Sequence, residues 1–557
     1  MTKTLFLLVM LSTYTGLSRA ETVPGLGTAT FPTSTHNVKA QQEFMRGLLL
    51  LHVFEYPDAA KAFQAAEKLD PGFAMAYWGE AMTFNHPVWN ELDVSAGQAA
   101  LGKFGATPEA RAGRIADPRE RAFMDSVEIL YSGKGTKPER DAQYAKALEQ
   151  MSKAYPADDE VQLFYALALL GKSEGVRDVP AYLQAAEISK RIFAKSPDHP
   201  GAAHYWIHGM DDPQHATGAL VAARALSKIA PDAGHAQHMC SHIFMALGMW
   251  DDVVDSNVNG MRVVDEHSQA AGRPVLDCGH YAIWLEYADY QEGRVRDGDK
   301  MLAECRRTGT EAVAWARAQP VGSGDNARRA ESWSKAADAS VVRMRGIALI
   351  ESEQWGGAAA SMTVDAKNLG GIAAGYNEFA TGYAAAKRGE GALATSSLAS
   401  LRTLATEEGK KAGADPEDVA DLAILTDELG GLISSKAGDM EAAITQVRRA
   451  VARYHGMAFD FGPPVTVKPP DELLGEILLA DKKPAEAKEA FAASLKLAPR
   501  RAESLLGLAR AQRAMGDGAA AEDSYGELLA IWKDADPGFG PKQEAERYDP
   551  GAPAGSR

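Results

Sequence analysis

Residues 484–531 read PAEAKEAFAASLKLAPRRAESLLGLARAQRAMGDGAAAEDSYGELLAI, and their internal spacing decides the fold. Pro484 is answered by Gly518, Ala487 by Ala521, Phe491 by Tyr525 and Leu495 by Leu529, each 34 residues on. A fixed period of this length marks a helix–turn–helix unit stacked on its own copy. Small residues such as Ala487 let paired helices approach, large ones such as Phe491 fill the gap, and Pro499 stops a helix before the next unit.

The same grammar opens the chain. Gly47, Tyr56, Ala60, Phe63 and Ala66 lead to Asp70-Pro71, and Ala76, Trp78 and Gly79 start a following helix. Between the ends the units are looser, with helices expected at Tyr182–Lys195, Ala202–Met210, Thr217–Ile229, Ala236–Leu247 and Trp250–Val264. Residues 281–304 and several helices across 331–455 continue with Ala-rich faces, and no alternating strand pattern stands out. These observations predict an all-α tetratricopeptide superhelix with a concave surface lined by the first helix of each unit. The expected parts are an N-terminal array over 21–330, middle repeats over 331–460, a joint at 461–470 within a segment holding four prolines, a repeat pair over 471–536 and a disordered tail over 537–557.

Composition narrows the partners and the compartment. The 557 residues carry a formal net charge of −16 and are 46% hydrophobic, which excludes a disordered chain and argues against nucleic acid. Lys3, the apolar run Leu5–Leu11 and the small residues Ser18 and Ala20 read as a cleaved leader over 1–20, well short of the roughly 20 apolar residues of a membrane span. The expected location is therefore periplasmic or secreted, with no membrane span after cleavage. Only Cys240, Cys278 and Cys305 are present, so no disulfide framework carries the fold, and whether Cys278 pairs with Cys305 stays open.

The chemistry gathers in one place. Nine of the 13 histidines lie between 199 and 280, where even placement would put about two. His204 and His208 are four apart with Asp211 three further on, so all three share a helix face; His235, His238 and His242 share another, and His280 heads the next unit. Imidazoles at such spacings reach one ion together and suit Cu, Fe or Zn. His204, His208, His235, His238 and His242 are the expected ligands, with Asp211, His280, His215, His86 and His52 as additional or outer ones. Asp211, Asp212, Asp251 and Asp252 are expected to orient ring N–H groups, while Cys240 should face away and His455 stands apart as structural. Trp78, Trp206 and Trp284 are expected to pack between helices. No nucleotide or hydrolase signature occurs.

The segments GLLLLHVFEYPDAAKAFQAAEKLDPGFAMAYWGEAM, HPGAAHYWIHGMDDPQHA, HAQHMCSHIFMALGMWDDVVDSN and FGPPVTVKPPDELLGEILL together resemble a family of bacterial exported tetratricopeptide-repeat proteins, over most of residues 40–535. The family is usually described by its repeats alone. The resemblance implies that His204, His208, His215, His235, His238 and His242 occupy motif positions, while Cys240 stands where relatives often have proline. Function then divides. A Cu or Fe site would permit oxidase or oxygenase chemistry, and a Zn site hydrolysis by a bound water. The alternatives are a metal carrier and a metal-free scaffold holding a peptide, protein or small-molecule ligand in its groove.

Overall fold

Each terminal repeat closes around one phenylalanine that needs two glycines. The Phe491 ring lies 2.7 Å from where a Cβ on Gly475 would stand and 2.2 Å from one on Gly507, so helices Pro470–Ala480, Pro484–Leu497 and Ala502–Ala514 meet on a single buried side chain. Phe63 does the same between Gly47 and Gly79, at 2.8 and 2.4 Å, for helices Val38–His52, Tyr56–Leu69 and Ala74–Met82. Truncating either ring to alanine would open a cavity costing about 3–5 kcal/mol. Helices Pro484–Leu497 and Gly518–Ile531 start and stop in step with the 34-residue period.

The computed structural model describes residues 20–172, 177–319, 326–364, 366 and 369–548, so the leader expected at 1–20 lies outside it except for Ala20. Among the described residues the chain is an all-α tetratricopeptide superhelix of 26 α-helices. Two short antiparallel ladders interrupt it, Glu21–Val23 with Gly27–Ala29 and Asn85–His86 with Glu91–Leu92, each too brief to leave an alternating pattern in the sequence. No described helix is long and apolar enough to cross a membrane.

The elements that matter for the site are helices Val179–Lys195, Pro200–Met210, Leu220–Ile229, Gly234–Ala246, Trp250–Ala270, His280–Gln291 and Val295–Ala318. They match the expected helices to within a few residues, except that Ala216–Ala219 forms a 3-10 turn and the Trp250 helix runs on to Ala270. His199 starts helix Pro200–Met210 by accepting the N–H of Ala202 on its Nδ1 at 3.3 Å, with Pro200 preset for the first turn. Helix Gly234–Ala246 borrows its start from Glu55, whose carboxylate accepts the N–H of His235 at 3.0 Å. The first ladder ties the two together, since Thr28 N–H bonds the Asp198 carbonyl at 2.9 Å and Asp232 N–H bonds the Gly25 carbonyl at 3.1 Å. Gly25 has φ +77°, and a Cβ there would fall 1.9 Å from the Asp232 carboxylate.

The C-terminal pair packs back onto the middle of the chain. Trp250 Nε1 donates to the Arg500 carbonyl and Trp532 Nε1 to the Gln291 carbonyl, both at 3.0 Å. The tail expected to be disordered from 537 is ordered to 548: Phe539 packs edge-on against Trp532, helix Gly540–Glu546 buries Ala545, and Tyr548 stacks on Tyr525. Its Gly/Pro-rich composition hid these aromatic anchors, and residues 549–557 lie outside the description. The joint at 461–470 is also more than a break. Arg343 donates to the carbonyls of Pro463, Pro464 and Val465, holding the irregular run against the histidine region before a helix restarts at Pro470.

Candidate metal centre

Helix Pro200–Met210 carries His204 and His208 one turn apart, helix Gly234–Ala246 carries His235, His238 and His242, and His280 opens the next first helix. All six come together. The Nε2 atoms of His204, His208 and His235 are buried with no hydrogen-bond partner, and one ligand atom from each ring lies within 4.8 Å of the others. An unpaired buried polar atom costs about 1–3 kcal/mol, so three converging on one point call for a shared ligand. His204 is locked with its lone pair inward, because its Nδ1 donates to the His52 carbonyl at 2.7 Å.

His238, His242 and His280 form a second group with the same 4.8 Å limit. His238 Nδ1 donates to Asn257 Oδ1 at 2.7 Å, and the Asn257 amide is oriented by its own N–H bond to the Val253 carbonyl at 2.8 Å. His242 Nδ1 donates to Asp211 Oδ2 at 3.1 Å. Both rings therefore point bare Nε2 lone pairs inward, and these face each other at 3.3 Å. Two lone pairs at that distance repel unless a proton or a cation joins them.

The electrostatics favour the neutral form of the rings of His204, His235, His238 and His242. Burial, reinforced by neighbouring imidazoles, holds His204, His235 and His238 well below the ordinary histidine value. Burial also lowers His242, and the crowding of its inner edge together with the nearby His242 ring lowers His280, whose outer edge is exposed. For Asp211 burial works the other way, yet Arg177 and the rings of His208 and His242 hold its carboxyl well below the usual range. The rings of His204, His235, His238 and His242 are neutral nitrogen donors with one fixed carboxylate behind them, the protonation state that metal ligation requires.

The outer residues divide. Asp211 stands behind the rings, 3.1 Å from His242 Nδ1 and 3.6 Å from His208 Nδ1, with its other oxygen on Arg177, so it orients one ring of each group. His52 is an outer residue through its carbonyl alone; its ring bonds Glu160 at 2.8 Å and the Tyr205 hydroxyl at 2.9 Å. His199 Nε2 donates to the other Glu160 oxygen at 2.9 Å, so that third buried group is satisfied within itself. His86 and His215 do not join the centre. His86 bonds Glu91 and the Thr83 carbonyl and stacks on Tyr56, while His215 is held by Asp212, which Arg177 also takes. Asp251 and Asp252 pair with Lys533 and Arg224, away from the rings. Cys240 bonds the Ala236 carbonyl and belongs to neither group, and His455 pairs with Asp471.

The expected open concave face is in fact a closed interior. His204, His208, His235, His238 and His242 are at most 8% exposed. Trp284, expected only to pack between helices, lies tilted against His242 at 4.6 Å; Phe461 does likewise at 4.6 Å, and Tyr281 stacks on His238 at 4.4 Å. Phe54 covers His204 at 4.4 Å. His280 alone reaches the surface, at the wall of a recessed cavity of about 390 Å³ shared with Asp265, Asp277, Tyr281 and Trp333. Cys278 and Cys305 form a disulfide that pins the chain two residues before it.

Sequence reasoning missed Asn257, Arg177, Tyr281 and Phe461. Asn257 was in reach of it, because it lies on the helix paired with that of His238; Phe461 was not, because it arrives from more than 200 residues away.

No protein-family model matches this chain, and no curated protein matches it. Among solved structures it is similar to the APC/C hetero-tetramer Cut9–Hcn1, at 12% identity over 93% of this chain and 78% of that one, with a TM-score of 0.29. It is also similar to the human IFIT1 dimer with m7Gppp-AAAA, at 11% identity over 90% and 92% with a TM-score of 0.30. Yeast Tom70 follows at 10% identity over 91% and 94% with a TM-score of 0.25. Likenesses this distant carry no argument about the site.

Proposed function

We propose that this chain is an exported metalloprotein whose tetratricopeptide scaffold encloses a polyhistidine metal site, with copper as the ion that fits best. The observation that carries the reading is the convergence of three orphaned, buried Nε2 atoms from His204, His208 and His235. Every inward donor there is an imidazole nitrogen, while the carboxylate of Asp211 is engaged behind the rings by Arg177 and His242. Iron sites of the two-histidine type want a carboxylate among the ligands, whereas an all-imidazole pocket suits copper or zinc, of which divalent copper is bound the more tightly by a given nitrogen site. Export is supported by the leader at 1–20 and by the Cys278–Cys305 disulfide, which persists in an oxidising compartment.

The closed wall favours an ion that is held over one that is handed on, and the cavity at His280 gives a small molecule an approach. Elemental analysis of the untagged mature protein is the test. At least one equivalent of copper or zinc per chain, with one equivalent lost on His204→Ala with His208→Ala, is the expected result. A folded protein that takes up no Cu(I), Cu(II), Fe(II) or Zn(II) would leave a metal-free scaffold binding a protein or small-molecule ligand as the correct reading.

A further inference from the structure

The two three-histidine groups are the same construction used twice. His204 and His208 become His238 and His242 when the chain advances by 34 residues, the period of the repeat itself. Each group takes the one-turn pair from one first helix and a single histidine from the start of the next: His235 near the start of helix Gly234–Ala246, and His280 at the start of helix His280–Gln291. The interval from His235 to His280 is longer than 34 because the Trp250 helix is extended and a loop at 271–279 follows it, and the Cys278–Cys305 disulfide returns His280 to its place.

Resting on the reading of the first group as a metal site, we propose that the protein holds two copper ions, one on His204, His208 and His235 and one on His238, His242 and His280, as an adjacent pair. The ring centroids of His208 and His242 lie 5.6 Å apart and those of His235 and His238 lie 6.2 Å apart, so the two sites share a wall of imidazoles. Asp211 orients a ring on each side of that wall, which fixes the sites relative to each other. The opposed Nε2 lone pairs of His238 and His242 at 3.3 Å give the second site its own demand for a cation, independent of the orphaned nitrogens of the first.

One alternative grouping, His208, Asp211 and His242, also falls within ligand distance and would hold a single central ion. The tautomers oppose it, since His242 turns its N–H to Asp211 and keeps its lone pair on the other side of the ring. The second site differs from the first in access: His280 reaches the cavity of about 390 Å³, so a small molecule meets the pair from that side.

The experiment is copper loading of the untagged mature chain, followed by elemental analysis and electron paramagnetic resonance of the Cu(II) form. Two coppers per chain with an interacting spectrum are expected in the parent. His204→Ala with His208→Ala, and separately His238→Ala with His242→Ala, should each keep one copper and show an isolated Cu(II) signal. His235→Gln and His280→Gln, checked for folding by thermal melts, serve where the double variants do not fold. One copper in the parent, removed by either double variant, or two coppers without magnetic interaction, would overturn the pair. A parent without metal would overturn the first site as well.

Discussion

Two buried polar clusters lie a few residues apart on one helix, and they have opposite characters. Helix His280–Gln291 gives His280 and Trp284 to the histidine centre and, one turn later, Tyr287 to a knot of charges under the C-terminal pair. In that knot Glu472 accepts from Arg501 Nε at 2.7 Å, Lys468 Nζ at 2.7 Å and the Ser504 hydroxyl at 2.5 Å, while Arg501 also meets Glu351 and the Tyr287 hydroxyl, each at 2.8 Å. Both oxygens of Glu472 have hydrogen-bond donors, and Glu351 is held against Arg501 as an ion pair, so each carboxylate of the knot faces a cation inside the protein. The histidine centre, equally buried, leaves three ring nitrogens with none. Burial alone does not mark a site; unsatisfied nitrogens on several rings brought within ligand distance of one another do.

Acid should separate the two clusters most strongly. The buried imidazoles titrate below their unfolded value near 6.5, so as pH falls through that value the unfolded state takes up protons first. Stability of the metal-free protein is then lost at about 1.4 kcal/mol per pH unit for each such histidine. Glu472 is held below its unfolded value near 4.5 despite its burial, through Arg501 and Lys468, so its contribution is present above that value and lost only on going below it. Between pH 6.5 and 5, hydrogen exchange should accelerate in peptides from 200–246 and not in peptides from 470–531. Simultaneous opening of both would erase the distinction.

Breaking the knot comes next in size. Arg501→Met leaves the buried Glu472 carboxylate without its main partner and should cost about 3–5 kcal/mol in urea unfolding of the metal-free protein. His235→Leu removes a nitrogen that has no partner, so its cost without metal should stay within about 1 kcal/mol. The metal content should respond in the reverse order. A smaller effect follows at the shared support: Asp211→Asn keeps the shape but weakens the hold on His208 and His242, and should lower metal affinity about 10–100-fold in competition with a chelator.

The sequence made the repeat readable because a period of 34 is written in side chains that pack only with their own copies, such as Phe491 with Gly475 and Gly507. The histidines were readable for the same reason, since helical phase puts His204 with His208 and His238 with His242. Their division into two groups was not read from the sequence alone, although the 34-residue shift contains it, because the third ligand of each group comes from a different helix across a connection of variable length. The closure of the site could not be read at all. Phe461 and the run held by Arg343 reach His242 only because the last repeats fold back, and nothing local at Asp460–Pro470 distinguishes a hinge from a wall.

That wall gives the smallest and most discriminating prediction. Phe461 is half-buried, lies 4.6 Å from the His242 ring and donates nothing to any ligand, so its contribution is to exclude water and chelators from the second site. Phe461→Ala should change the stability of the metal-free protein by about 1 kcal/mol and leave the metal count unchanged. It should still let a chelator strip the ion on His238, His242 and His280 several-fold faster than in the parent, with the ion on His204, His208 and His235 released at the parent rate. Equal acceleration at both sites would mean that the pair shares one door, and that the difference in access drawn from His280 does not separate them. The knot has no counterpart to this experiment, because Arg501 is fully enclosed and satisfied, and opening its surroundings releases no ligand.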